Sequence, residues 1–285
     1  MNGKQMIDFH MHITPPDIIA NWQKYAEKEP YFALLSQSRS NKFASAEDLI
    51  ASLEKDGNVS KAVVFGFAFR DIGLCRYVND YVIEKVKEYP EKLTGFLVTP
   101  VRGRESAKEI ERCARLGLAG VGELFPEGQG FDLEDKAQTK TLTGACAEFS
   151  LPLLLHTNEP VGHYYPGKTD VSLRQMETFV SDNPELKIIL AHWGGGLLFY
   201  ETMGEIKEKF RNVYYDTAAT PFLYDSRIYS AAKALGLCDK ILFGSDFPLL
   251  APSRYLPALE ESGLDQEEKK LILTENAEKM LGNKT

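Results

Sequence analysis

The stretch IDFHMH, residues 7–12, ends its apolar run with two histidines at alternate positions. Side chains two apart on a strand point to the same side, so His10 and His12 project together. A core has little use for two imidazoles on one face, whereas a metal ion does. The reading of this strand end depends on what the other strands bring to the same place.

Seven further β-prone runs follow QMIDF (5–9): KAVVFGF (61–67), KLTGFLV (92–98), LAGVGEL (118–124), PLLLH (152–156), KIILAH (187–192), VYYDT (213–217) and KILFGS (240–245). They are too continuously apolar for a sheet with one wet face and fit parallel strands covered on both sides. Helix signals lie between them. Ser45 and Asp48 form a capping arrangement ahead of a segment that ends at Gly57, and Leu74, Val78, Tyr81, Val82 and Val86 trace a stripe that Pro90 terminates. Segments 106–117, 142–149, 173–180 and 228–235 repeat the theme. Eight strands alternating with helices predict an α/β protein of the (β/α)8 TIM-barrel type, as one domain over residues 1–285. An open doubly wound sheet is the rival, but no GxGxxG follows the first strand. One long segment, about residues 13–44, is inserted after strand one, where a barrel places it over the active-site face. Its aromatic residues Trp22, Tyr31 and Phe32 suggest an exposed apolar surface and a homodimer contact.

Composition narrows the function classes. The 285 residues are 44% apolar and 26% charged, enough for a large core, and the net charge of −8 argues against non-specific nucleic-acid binding. Four scattered cysteines without a CxxC pair read as free thiols in a reducing compartment. No apolar run reaches the roughly 18 residues of a membrane span, and the few polar residues before strand one leave no room for a signal peptide. The expectation is a cytoplasmic protein with a small-molecule substrate and neither membrane nor nucleic-acid partners.

Four of the five histidines fall at strand ends: His10 and His12 after strand one, His156 after strand five, His192 after strand six. Asp246 follows strand eight in FGSDFP and Glu123 ends strand four in GVGEL. Those ends share the face of a barrel that carries active sites. An isolated histidine there is more often structural; four converging reverse that reading. Imidazole and carboxylate donors suit a divalent metal, zinc by the histidine count, with manganese or iron as alternatives. Around them, Arg70 just beyond strand two is placed to grip a substrate carboxylate, or equally to serve as an ordinary loop arginine in a salt bridge. His163 could line the mouth and Trp193 could stack on an unsaturated substrate, although each is equally an ordinary loop or wall residue. Asp216, at the end of strand seven, reads as support for a ligand.

The ordered set HMH (10–12), LLLHT (153–157), LAHWGG (190–195), FGSDFP (243–248) and ENAEKMLG (275–282) resembles the amidohydrolase superfamily. More narrowly it is similar to the amidohydrolase-related branch that contains aminocarboxymuconate-semialdehyde decarboxylase and several hydrolases. The resemblance implies a metallo-dependent hydrolase barrel with His10, His12, His156 and Asp246 as metal ligands. It implies His192 as the residue that orients or deprotonates the metal-bound water, and a structural part for Asn276. Glu123 departs from this pattern and resembles TatD-like nucleases, in which a glutamate bridges two metals; one ion is favoured here, with two as the alternative. The leading expectation is a hydrolase in which metal-activated water, with its pKa lowered to roughly 7, attacks a small carboxylated substrate, Asp246 carrying the proton. The alternatives are a non-oxidative decarboxylase, a binuclear phosphodiesterase and a non-catalytic binding protein.

Overall fold

The computed structural model describes residues 6–37 and 43–282. Eight strands, β1 (Met6–His12), β2 (Val59–Phe65), β3 (Leu93–Leu97), β4 (Gly120–Leu124), β5 (Leu153–Leu155), β6 (Ile188–Leu190), β7 (Val213–Asp216) and β8 (Ile241–Leu242), pair in parallel in strict chain order. The sheet closes on itself through the irregular segment after β8. Phe9 donates its amide to Phe243, Asp246 to His10 and His12 to Phe247, at 2.7–2.9 Å. Buried Asp8 reinforces this seam, because its Oδ1 accepts from the amides of both His10 and Ser245. The (β/α)8 barrel expected from the strand pattern is the fold observed.

Local chemistry explains the helices. Ser45 and Asp48 form the reciprocal capping box of helix Ala46–Asp56, and Gly57 ends it with φ +69°, a left-handed value that costs glycine nothing. Asp71 caps Ile72–Glu88, Asp135 caps Lys136–Glu148 and Ser172 caps Leu173–Asp182. Asn79 is buried on the second of these helices. Its amide donates to Val98 O and Glu109 Oε1 and accepts from Val98 N, so one side chain ties two helices to the end of β3. Asn276 does the same for β8, donating to the carbonyls of Cys238 and Ile241. All four cysteines are buried and free. No helix among the described residues is long and apolar enough to cross a membrane.

The segment after β1 carries three short helices, Pro16–Ala20, Trp22–Ala26 and Pro30–Ser36; residues 38–42 of the expected insertion lie outside the described residues. Its aromatic residues turn inward, contrary to the exposed surface that the sequence suggested. Phe32 is buried against Phe43, Phe67 and Phe69, and Tyr31 meets Phe125 edge-on at 4.6 Å. Trp22 is partly buried against the same core. Removing these rings from water stabilises the segment as a cap on the barrel mouth.

Candidate metal centre

His10 and His12 project from the C-terminal end of β1 into the barrel, where two carboxylates meet them. His10 Nε2 lies 3.6 Å from Glu123 Oε2 and 3.7 Å from Asp246 Oδ1. His12 Nε2 lies 3.5 Å from the same two oxygens. On the other side of Glu123, Oε1 is 3.0 Å from His156 Nδ1 and 3.4 Å from His192 Nε2. Strand ends β1, β4, β5 and β6 and the segment after β8 thus bring six donors to one spot.

The outward nitrogens fix what the inward ones present. His10 Nδ1 meets Asp216 Oδ2 at 2.8 Å, His156 Nε2 meets the Gly167 carbonyl at 2.8 Å, and His192 Nδ1 meets the Ala218 carbonyl at 3.0 Å. Carbonyl and carboxylate oxygens only accept, so each outward nitrogen carries the proton and each inward nitrogen of a neutral ring offers a lone pair. This arrangement, with the second ring nitrogen donated to a carboxylate or backbone carbonyl, is the usual support of metal-binding histidines. His10 Nε2 is buried and has no hydrogen-bond partner among the described residues. An orphaned imidazole lone pair between carboxylates is costly in protein and suits a cation.

The electrostatics agree. Burial opposes charge on His10, but Asp216 and Glu123 outweigh it and raise its proton affinity well above the ordinary value. Burial likewise opposes charge on Glu123, yet His10 and His156 hold its carboxyl well below the usual range. Asp246 is held down to about 2 against its own burial, chiefly by His12 and His10. The cluster therefore keeps its carboxylates ionised and draws positive charge to itself. Two triads present ligand atoms mutually within 4.8 Å: His10, His12 and Asp246, and His10, Glu123 and His192. Neighbouring donors on one ion at about 2.1 Å stand roughly 3.0–3.4 Å apart, so a small inward adjustment of these side chains would seat a divalent metal.

His192 reaches its place through a turn that the strand pattern does not disclose. His192 (φ 55°, ψ 48°) and Trp193 (φ 60°, ψ 24°) are left-handed and the three following glycines share the positive φ. Such a conformation costs about 1–2 kcal/mol per non-glycine residue. Fixed contacts offset it: His192 N donates to Asp216 Oδ1 at 2.9 Å, and buried Trp193 Nε1 donates to Thr220 Oγ1 at 2.8 Å. A Cβ on Gly195 would stand 2.2 Å from the Asn158 carbonyl oxygen, so the turn requires glycine there. Asp216 holds both the His10 ring and the His192 backbone, as its position at the end of β7 suggested.

Above the ligands opens a cavity of about 540 Å³ with aromatic walls: Tyr31, Phe32, Phe67, Phe125, Tyr165 and Phe222. His12, Glu123, His156, His192 and Asp246 form its floor and His163 stands at its exposed mouth. No lysine or arginine is among the described residues that line it. Two sequence expectations are corrected here. Arg70 lies outside the cavity, with Nε donating to Gly128 O at 2.7 Å and its backbone amide to Glu29. The guanidinium clamps the loop after β4, donating to the Gly128 and Glu127 carbonyls. Trp193 is fully buried behind His192, edge-on to Tyr229, because the left-handed turn directs it away from the cavity. Asp8 was missed as a site residue, although its place two before His10 on the same strand face was the available signal. Burial pushes its carboxyl up to about 7. The carbonyls of Gly167 and Ala218 carry no side-chain signature to read.

Comparison with known proteins extends this picture. The chain is 26% identical to a gamma-resorcylate decarboxylase from Polaromonas sp., over 72% of this chain and 75% of that protein. It is 25% identical to a 2-amino-3-carboxymuconate-6-semialdehyde decarboxylase from Dictyostelium discoideum, over 97% of this chain and 91% of that protein. The fold matches the crystal structure of a 5-carboxyvanillate decarboxylase from Novosphingobium aromaticivorans complexed with manganese and a nitrobenzoic acid. That match has a TM-score of 0.76 at 17% identity, with 98% of this chain and 96% of that one covered. The amidohydrolase family profile covers residues 7–282, from the strand that carries HMH to the last turn of the final helix, and by that match the chain belongs to the amidohydrolase family.

Proposed function

We propose that the protein is a metal-dependent decarboxylase of a small carboxylated aromatic compound. The observation that carries this reading is the cavity itself: a box of aromatic side chains with no lysine or arginine among the described residues that line it, whose charged groups are the cluster on its floor. A planar ring fits between such walls, and its carboxylate finds a counter-charge only at the floor. The similarity to decarboxylases supports carbon–carbon cleavage over the hydrolysis expected first.

His10, His12, Asp246 and Glu123 would hold a divalent ion, manganese by analogy with the solved decarboxylase or zinc by the donor set. When bound, that ion supplies positive charge for the substrate's carboxylate and an adjacent oxygen. Asp246, ionised beside them, accepts the proton of an O–H held against it and returns it to the ring carbon that bears the carboxylate. The bond to the carboxyl carbon then breaks, its electron pair restores the ring, and carbon dioxide leaves. A solvent proton replaces the one taken from the O–H. His192 presents its Nε2 lone pair to the same floor, Asp216 keeps the His10 and His192 units in register, and His163 stands where substrate enters.

The test is turnover of a panel of hydroxylated aromatic acids by metal-loaded protein in deuterated water. One deuterium at the carbon that lost the carboxyl group is the expected result. Inertness towards every acid, with hydrolysis of the corresponding esters or lactones, would overturn the reading.

A further inference from the structure

We infer that the substrate is an aromatic hydroxy acid extended by bulky apolar carbon, such as a fused second ring, at the edge away from its carboxylate, and bearing no second charge. The inference rests on the aromatic-acid reading above. The cavity holds about 540 Å³, within the range of pockets that enclose drug-sized ligands. A single-ring hydroxy acid has about ten heavy atoms. Even at the roughly 30 Å³ that a water molecule takes in the liquid, those atoms fill little more than half of the space. Unfilled space beside a bound ring forfeits the dispersion contacts that packed atoms would make.

The walls away from the floor select what fills the remainder. Besides the six aromatic residues they include Leu35 on helix Pro30–Ser36, Leu223 on the short helix Thr220–Leu223 and Leu249 after β8. Phe222 lines the cavity and is nevertheless 56% exposed. A ligand that extends to Phe222 removes its ring from water, a gain that only apolar carbon brings.

The two wall tyrosines do not change this character, because a phenol has one proton to give. Tyr165 donates its proton to Glu159 Oε2 at 3.0 Å. Tyr31 directs its proton to the Glu127 carboxylate, which also accepts from the Asp170 amide at 2.7 Å. Burial, together with these carboxylates, pushes both phenols up, so both stay protonated. Lys168 turns its ammonium to the carbonyls of Val161 and His163, and the His163 side chain stands in water at the mouth. A second carboxylate on the far edge of the ring would lose its water against walls that offer neither a lysine or arginine nor a free phenol proton among the described residues. Apolar carbon in the same place is favourable.

The experiment mixes full-length, manganese-loaded protein rapidly with each of three acids and reads binding from the acid's own fluorescence before turnover accumulates. All three share one edge with a carboxylate beside a hydroxyl. They are 2-hydroxybenzoic acid, 3-hydroxy-2-naphthoic acid with a fused ring opposite that edge, and 4-hydroxyisophthalic acid with a second carboxylate on the far side. The naphthoic acid should bind about 10–100-fold tighter than the benzoic acid, and the dicarboxylic acid about 10-fold weaker. Leu35→Ser and Phe222→Ser should each shrink the preference for the naphthoic acid by about 3–10-fold, with circular dichroism confirming the fold of each. Equal affinity for the naphthoic and benzoic acids, a dicarboxylic acid bound as tightly as the benzoic acid, or a preference untouched by both substitutions would overturn the inference and leave the aromatic-acid reading standing. No binding of any of the three acids would overturn that reading with it.

Discussion

His10 has both ring nitrogens committed by geometry: one donated to Asp216, the other aimed between Glu123 and Asp246 without a hydrogen-bond partner. Replacing His10 or Asp246 with alanine should abolish turnover and strip the metal while leaving the circular dichroism spectrum unchanged; full activity in either variant would contradict their role. Asp216→Asn keeps the size of the side chain but removes the charge behind the imidazole. It should weaken metal binding by about 10–100-fold in a competition assay against a chelator, the usual cost of losing such a supporting partner. Arg70 makes the opposite point. A substrate-gripping arginine, on truncation, raises KM by about 10–100-fold, since hydrogen bonds to charged groups contribute about 1.5–3 kcal/mol. Arg70→Met should instead leave KM within about twofold of the wild-type value, because the guanidinium serves backbone carbonyls outside the cavity. The convergence of His10, His12, Glu123, His156, His192 and Asp246 was legible in the sequence because strand ends in a barrel meet whatever the loops do. Arg70 and Trp193 were not, because their direction is set by loop and turn geometry that residue type does not encode.

At the level of elements, the strands were readable from their apolar runs and the helices from their caps, down to Ser45, Asp48 and Gly57. The end of strand six was not. KIILAH reads as one strand to His192, whereas β6 ends at Leu190 and the chain enters a left-handed turn. Tertiary contacts override the local preference there: Asp216 fixes the His192 amide, Thr220 fixes the Trp193 indole, and Asn158 leaves no space for a side chain at residue 195. Gly195→Ala should therefore destabilise the fold by about 3 kcal/mol, at the upper end for single substitutions, and reduce metal retention together with melting temperature. Gly204→Ala, with no atom within 4 Å of the added Cβ, is the control and should change neither. In the segment after β1, the aromatic residues face the cavity and the core because Phe67, Phe69 and Phe125 wait there to receive them.

For the whole molecule, barrel closure and metal binding are one structural event. The seam between β1 and the segment after β8 carries His10, His12 and Asp246 on adjoining backbone, held by the bonds that close the sheet. An ion bound across that seam should stabilise the folded state, by about 2.7 kcal/mol at a hundredfold excess over its Kd. Stripping the metal with a chelator should lower the melting temperature and re-addition should restore it; a melting temperature indifferent to metal would contradict this coupling. The class of reaction was only partly legible in the sequence. The same ligands serve hydrolysis and decarboxylation, and the choice lies in cavity walls assembled from six different segments of chain, which only the fold brings together. The most direct measurement is carbon dioxide release from carboxyl-labelled hydroxybenzoic acids, compared between manganese-loaded and metal-stripped protein. The account predicts labelled carbon dioxide from at least one acid with the loaded protein and none with the stripped protein. Release that is independent of metal, or no release from any acid alongside ester or lactone hydrolysis, would contradict it.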